Sequence, residues 1–236
     1  MHVEKLGRHF EKEIERVKEI ILRMGSLVEA SVGQAMDALV RRDPDLARQV
    51  LREDEAIDQL ELEIDGHCFD IIALHQPAAR DLRFIVTALK IAPEIERIGD
   101  LAGNISERAI ELSDEAQLKA YISVPRMAEI AQEMVRDALD AFVRQDAEAA
   151  RAVIARDDQL DVYMEQIFRE LLSYMLEDPR TITRALRLMM VAKYLERIGD
   201  GATNVCEMVV YLAEGHVIRH GGIHPAAERN GSNGPA

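Results

Sequence analysis

The block RRDPDLARQVLREDEAID at Arg41–Asp58 aligns without a gap on RQDAEAARAVIARDDQLD at Arg144–Asp161, an offset of 103 residues. The pentapeptide ERIGD at Glu96–Asp100 returns unchanged at Glu196–Asp200, an offset of 100. A chain that writes one unit twice folds that unit twice, so an architecture that suits the first half must suit the second. The three residues lost between the two offsets fall in a turn, where QPAARD at Gln76–Asp81 faces EDPR at Glu177–Arg180.

The repeated unit is helical. Phe10, Ile14, Val17, Ile21, Met24, Val28, Ser31 and Ala35 alternate steps of three and four, which draws one apolar stripe along a long helix. The stripe ends at RRDPD, where Asp43 is a natural N-cap and Pro44 sits at the first helical position of the next helix. That second helix is expected from about Pro44 to Leu74. The third carries Ile91, Ile95, Ile98, Ala102 and Ile105 on one face, and SVP at Ser123–Pro125 opens a fourth with Met127, Ile130, Met134 and Ala138. Asp178 and Pro179 repeat the cap-then-proline device. The expected fold is all-α: six helices in two tandem antiparallel three-helix bundles, over residues 1–116 and 120–214, with a boundary near Ser113–Ser123. No β pattern is evident, and the stretch from residue 215 to 236 loses periodicity, gains Gly, Pro and Asn, and is expected to be disordered.

The charge narrows the functional classes. A net charge of −14 argues against nucleic-acid binding, which needs clustered Lys and Arg, and favours cations or basic protein surfaces as partners. Cys68 and Cys206, each within a helical pattern, read as packing residues of a reducing compartment. With no basic-then-apolar leader and no membrane-length apolar run, the expected location is the cytoplasm.

Acidic side chains form the second pattern. Glu96, Asp100, Asn104 and Glu107 lie at steps of four, four and three, about 100° around the helix from the isoleucine stripe, and Glu196, Asp200, Asn204 and Glu207 repeat them. On the preceding helix Asp54, Asp58, Glu61 and Asp65 form a comparable row, while the second half keeps Asp157 and Asp161 before the positions turn to Met164 and Phe168. Neighbouring antiparallel helices bring such rows face to face. The plain reading is a solvated helix face, with Arg97 and Arg197 as counter-ions. Against it stand like charges spaced four apart in both halves, a glycine (Gly99, Gly199) beside each acid at about 1 kcal/mol against alanine, and no lysine on the acid stripe. A bound hard cation such as magnesium, manganese, calcium or iron offsets all three. The Glu-x-x-His signature of di-iron bundles is absent, as are a phosphate-cradling loop, a nucleophile elbow and a Ser-His-Asp set. His67, His75, His216, His220 and His224 read as poor ligand candidates. Two functions of different class therefore stand: a non-enzymatic regulatory adaptor, and a metal-dependent enzyme or metal-storage bundle.

The doubled ERIGD with its following asparagine, QP..RDLR at Gln76–Arg83, DPRTI at Asp178–Ile182 and VVYLAEG at Val209–Gly215 resemble the PhoU family of bacterial phosphate-signalling regulators, in order along nearly the whole chain up to Gly215. The resemblance implies two three-helix bundles related by a pseudo-twofold and a homodimer. It also implies negative regulation of the phosphate regulon, without enzymatic activity. The implied partners are the ATPase subunit of the phosphate-specific ABC transporter and its sensor histidine kinase, with membrane association only through them. It further implies carboxylate-held iron or zinc at Asp54 and Asp58, Glu96 and Asp100, Asp157 and Asp161, and Glu196 and Asp200. In the second half Gly201 stands where the family commonly has histidine.

Overall fold

The computed structural model describes residues 2–118, 123–215, 217–219 and 222–224, with side chains over 10–118 and 123–215. The first half comprises α1 (His2–Arg41), α2 (Pro44–Glu53), α3 (Glu55–His75) and α4 (Ala79–Ser113); the second comprises α5 (Ser123–Arg144), α6 (Ala147–Ile154), α7 (Asp157–Glu177) and α8 (Ile182–Glu214). Each half is an up-down-up bundle. Asp43 caps α2 by accepting from the backbone N–H groups of Asp45 and Leu46, and Asp146 caps α6 by accepting from those of Glu148 and Ala149. A one-turn 3-10 helix, Pro179–Thr181, joins α7 to α8, with the Asp178 carboxylate accepting from the Arg180 N–H.

The middle helix of each half, expected to be continuous, is broken. At Asp54 the Ile57 N–H donates three residues back to the Asp54 carbonyl, at 2.8 Å, instead of four. At the equivalent place Arg156 N–H donates to the Val153 carbonyl and Gln159 N–H to the Arg156 carbonyl. A locally tightened turn redirects the helix axis. It lets short α2 and longer α3 both lie along α4, and α6 and α7 both lie along α8.

A continuous apolar core runs through both halves. The helix α4 contributes Ile91, Ile95, Ile98 and Ile105, and α8 contributes Val191, Leu195, Ile198 and Val205, all essentially inaccessible to solvent. The two long helices pack against each other along this seam, and α1 packs on α5 along the other. Gly201 lies in the α4–α8 seam, where an added Cβ would stand 3.0 Å from Ile98 Cγ1. The seam leaves little room there for a larger side chain.

Beyond the helices, Gly215 ends α8 with φ of +78° and an N–H donated to the Tyr211 carbonyl. Past it the expectation of no regular structure is corrected by a small antiparallel hairpin, Val217–Arg219 paired with Gly222–His224. Short β-branched runs separated by a glycine-containing link carry a hairpin signal that helical periodicity does not register. His216, His220 and the tail after residue 224 lie outside the described residues. Among the described residues no helix is long and apolar enough to cross a membrane.

The tightest approach on α8 is at Gly199, where an added Cβ would meet Leu160 Cδ1 at 2.1 Å, whereas at Gly103 the nearest atom would be 3.6 Å away. Leu160 is fully buried, so its Cδ1 would have to rotate within packed surroundings to admit the methyl. Gly199→Ala is therefore expected to lower the unfolding free energy by about 1 kcal/mol or more despite alanine's helical preference, and Gly103→Ala to raise it by about 0.5–1 kcal/mol. Urea unfolding of both variants checks the pair.

Candidate metal centre

The kinks in the middle helices place the first acids. Tightening the turn at Asp54 swings its side chain toward α4, where a Cβ on Gly99 would lie 3.4 Å from Asp54 Oδ1 and 3.0 Å from Ile57 Cδ1. In the second half a Cβ on Gly199 would lie 3.5 Å from Asp157 Oδ1. The glycines beside the acids are thus close-approach positions that bring a carboxylate of one helix against the backbone of the next. Their helical cost is offset by packing rather than by the acids themselves.

The facing rows meet. Glu96 is pushed up to about 7, first by burial, then by the charges of Asp100 on its own helix and of Glu61, Asp58 and Asp54 across the gap. Burial, then Asp100 and Asp58, raise Asp54 above the usual carboxylate range. Burial, then Asp65 and Asp58, raise Glu61. In the second half Asp157 is pushed up to about 6 by burial, Asp200, Asp161, Asp158 and Glu196. At Asp54, Glu61, Glu96 and Asp157 burial leads, and the like charges facing them add to it.

The two patches differ in counter-charge. Arg97 turns to Glu94, 3.6 Å away, so the first patch keeps its repulsion. In the second half Lys193 pairs with Glu196, and burial and Glu196 raise Asp200 against the opposing pull of Lys193 and Arg197. A lysine therefore does reach the second acid stripe; its first-half counterpart is Pro93.

Of the sequence-predicted residues, the structure groups Asp54, Asp58, Glu96 and Asp100 in one patch and Asp157, Asp161, Glu196 and Asp200 in the other. Asn104 and Glu107 lie one and two turns beyond Asp100, and Glu107 pairs with Arg108 at 3.2 Å. Asn204 instead donates to Glu94 Oε2 across the α4–α8 seam at 3.2 Å, beside a cavity of about 150 Å³ shared with Arg97, Arg197 and Gly201. Glu207 lies two turns beyond Asp200 on α8. The sequence reading missed Asp158, which adjoins Asp157 and adds to its repulsion, and Glu94, whose offset from the acid stripe hid its place on the seam. Among the described residues no three His, Cys, Asp or Glu side chains converge closely enough to enclose an ion as they stand. The donor set still fits a hard cation by chemistry: oxygen ligands, mutually repelling, on half-exposed side chains with rotamers to spare.

The family model of the PhoU domain matches residues 21–109 and again 124–209. The chain belongs to the PhoU family. It is 44% identical over 209 residues to the phosphate-specific transport system accessory protein PhoU homolog of Aquifex aeolicus, covering 89% of this chain and 95% of that protein. It superposes on the crystal structure of PhoU from Pseudomonas aeruginosa with a TM-score of 0.83 at 43% identity, over 87% of this chain and 99% of that one. The phosphate transport system regulatory protein PhoU from Streptococcus pneumoniae gives the same TM-score at 27% identity, over 89% and 99%. The two family-model matches take one copy from each half, as the internal repeat requires.

The raised acids set a pH dependence. Glu96 titrates near 7 in the folded chain against an ordinary 4.5, so the folded state holds its proton more tightly than the unfolded state does. Metal-free protein is therefore expected to lose stability as pH rises from about 4.5 to about 7, with the full penalty present above that window. Glu96→Gln should be more stable than the parent at pH 7.5 by roughly 1 kcal/mol, after discounting for solvent screening of a half-exposed group, and equal to it near pH 4.5. Denaturant unfolding at both pH values in the presence of a chelator measures this.

Proposed function

We propose that this chain is a non-enzymatic regulatory adaptor of phosphate uptake, acting in the cytoplasm between a phosphate-specific ABC transporter's ATPase subunit and its sensor histidine kinase, and holding phosphate-starvation genes off when phosphate is plentiful. The observation that carries the reading is membership of a family whose relatives are named as phosphate-transport accessory and regulatory proteins. Two quasi-equivalent helical bundles with acidic faces suit docking on basic partner surfaces.

The acid patches are proposed as metal sites, with Asp54, Asp58, Glu96 and Asp100 as ligands in the first half and Asp157, Asp161, Glu196 and Asp200 in the second. Glu61 and Asp158 stand near enough to contribute charge. A bound iron, zinc, manganese or magnesium ion supplies positive charge that these carboxylates otherwise lack. The chain's own acids orient from two helices at once, so an ion held between them ties α3 to α4 and α7 to α8. Such binding would relieve the like-charge repulsion that, after burial, raises Glu96 and Asp157.

Deleting the gene should turn on phosphate-uptake and alkaline phosphatase genes in high phosphate, and tagged protein should co-purify with the transporter ATPase or the kinase. Silence of those genes in the deletion strain, with substrate turnover by metal-loaded protein, would replace the adaptor by an enzyme. For the metal, Glu96→Ala with Asp100→Ala should strip the first patch while the second stays occupied, read by elemental analysis of untagged protein grown with ample metal. Only trace metal in the parent, or a full complement in the double variant, reduces the patches to solvated acid faces.

A further inference from the structure

The face that carries the second acid patch continues past its acids and turns apolar. Along α7 from Asp157 and Asp161, the same stripe runs through Met164 to Phe168, Leu172 and Leu176. Along α8, backward from Asp200 and Glu196, it runs through Lys193 to Met190, Leu186 and Ile182. These last three on each helix are exposed: Phe168 48%, Leu172 40%, Leu176 76%, Ile182 42%, Leu186 51% and Met190 41%. The helices are antiparallel, with Asp157 against Gly199 at one end and the turn at Pro179–Thr181 at the other. That register sets Leu176 across from Ile182, Leu172 from Leu186 and Phe168 from Met190. The result is a two-helix face, apolar near the turn and acidic at the far end.

The first half carries it only in broken form, although Leu62 and Leu74 are exposed elsewhere on α3. Asp65 stands at the Phe168 position, Ala73 at that of Leu176 and Lys90 at that of Met190, leaving Phe69 and Leu82 among charges. The duplication has diverged at this face, and the shorter acid row of α7 is the other side of the same divergence.

We propose that the α7–α8 face is the docking site for a single amphipathic helix of a partner protein, its leucine-rich side seated on the apolar end and its basic end against the acid patch. The apolar end supplies what an exposed patch of large side chains needs, a cover from water. Charge selects the occupant: the five acids Asp157, Asp158, Asp161, Glu196 and Asp200 outweigh the two cations Lys193 and Arg197 by three charges, and still by one with a divalent ion bound among them, so the complementary segment is cationic. A second copy of this chain, with net charge −14, offers the acid end no cationic segment, and anionic lipid would be repelled by it. The face runs about twenty residues of helix, close to 30 Å, which matches a partner helix of similar length laid along the groove between two helices. The proposal rests on the adaptor reading and names the chemistry of one of its contacts.

The test uses full-length protein and a synthetic peptide of about twenty residues, with leucines along one face, lysines at one end and a fluorophore, plus a twin with glutamate for lysine. The lysine peptide is expected to bind and the glutamate twin to bind at least tenfold more weakly. Leu172→Asp with Leu186→Asp should weaken binding at least tenfold, while Phe69→Asp with Leu82→Asp, at the first-half counterparts of Leu172 and Ile182, leaves it unchanged. All four positions are solvent-exposed, and circular dichroism confirms that each variant keeps its helices. Equal binding by the α7–α8 variant, equal binding of the twin, or no peptide binding at all overturns the proposal. So does binding to phosphatidylglycerol vesicles, or a concentration-dependent dimer, that the same two substitutions abolish. If the peptide fails while the transporter ATPase or kinase still co-purifies with the α7–α8 variant, only this face is misassigned; if the parent co-purifies with neither, the adaptor reading itself falls.

Discussion

Burial of the isoleucine and leucine edge of α4 and α8 holds the acidic edge of the same helices in place. Ile91, Ile95, Ile98 and Ile105, with Val191, Leu195, Ile198 and Val205, are almost wholly buried. Each such side chain contributes about 1.5–3 kcal/mol on leaving water, whereas like charges on a half-exposed helix face oppose one another by tenths of a kcal/mol per pair. Packing wins by an order of magnitude. The carboxylates are therefore kept together by a core that takes no notice of them, and the repulsion persists as a property of the folded state.

The same core explains the glycines and the kinks. A close approach of α3 to α4 needs a backbone without a side chain at Gly99, and that of α7 to α8 needs one at Gly199. Once the helices are that close, the tightened turns at Asp54 and Arg156 leave Asp54 and Asp157 aimed across the gap. Acid, glycine and kink are three consequences of one packing geometry, which is why they recur together after about a hundred residues.

Much of this was legible in the sequence. The 3.6-residue period marks every long helix, and the Asp43 cap appears where the RRDPD signal puts it. The facing of Asp54 and Asp58 with Glu96 and Asp100 followed from adjacency of antiparallel neighbours. The kinks were not legible, because a helix tightened by one hydrogen-bond step keeps its composition and nearly its period. Nor was the role of Asn204: the stripe placed it beside Asp200, but the α4–α8 crossing hands it to Glu94, and one helix's periodicity says nothing of how it crosses another. Lys193 was hidden for a simpler reason, since its counterpart Pro93 made the two halves look alike only from Glu96 onward.

That divergence has a physical logic. Two copies of one unit begin with identical patches, and identical patches on one chain offer a partner two equal places to bind. Lys193, at the position held by Pro93 in the first half, pairs with Glu196 and lowers the repulsion in the second patch, a relief the acids around Glu96 lack. Phe168, where the first half has Asp65, ends the second acid row early and lengthens the apolar face beside it. The first half keeps the denser charge and the second gains surface that water does not solvate well. A duplicated bundle thereby acquires two unlike faces while the core beneath them stays the same.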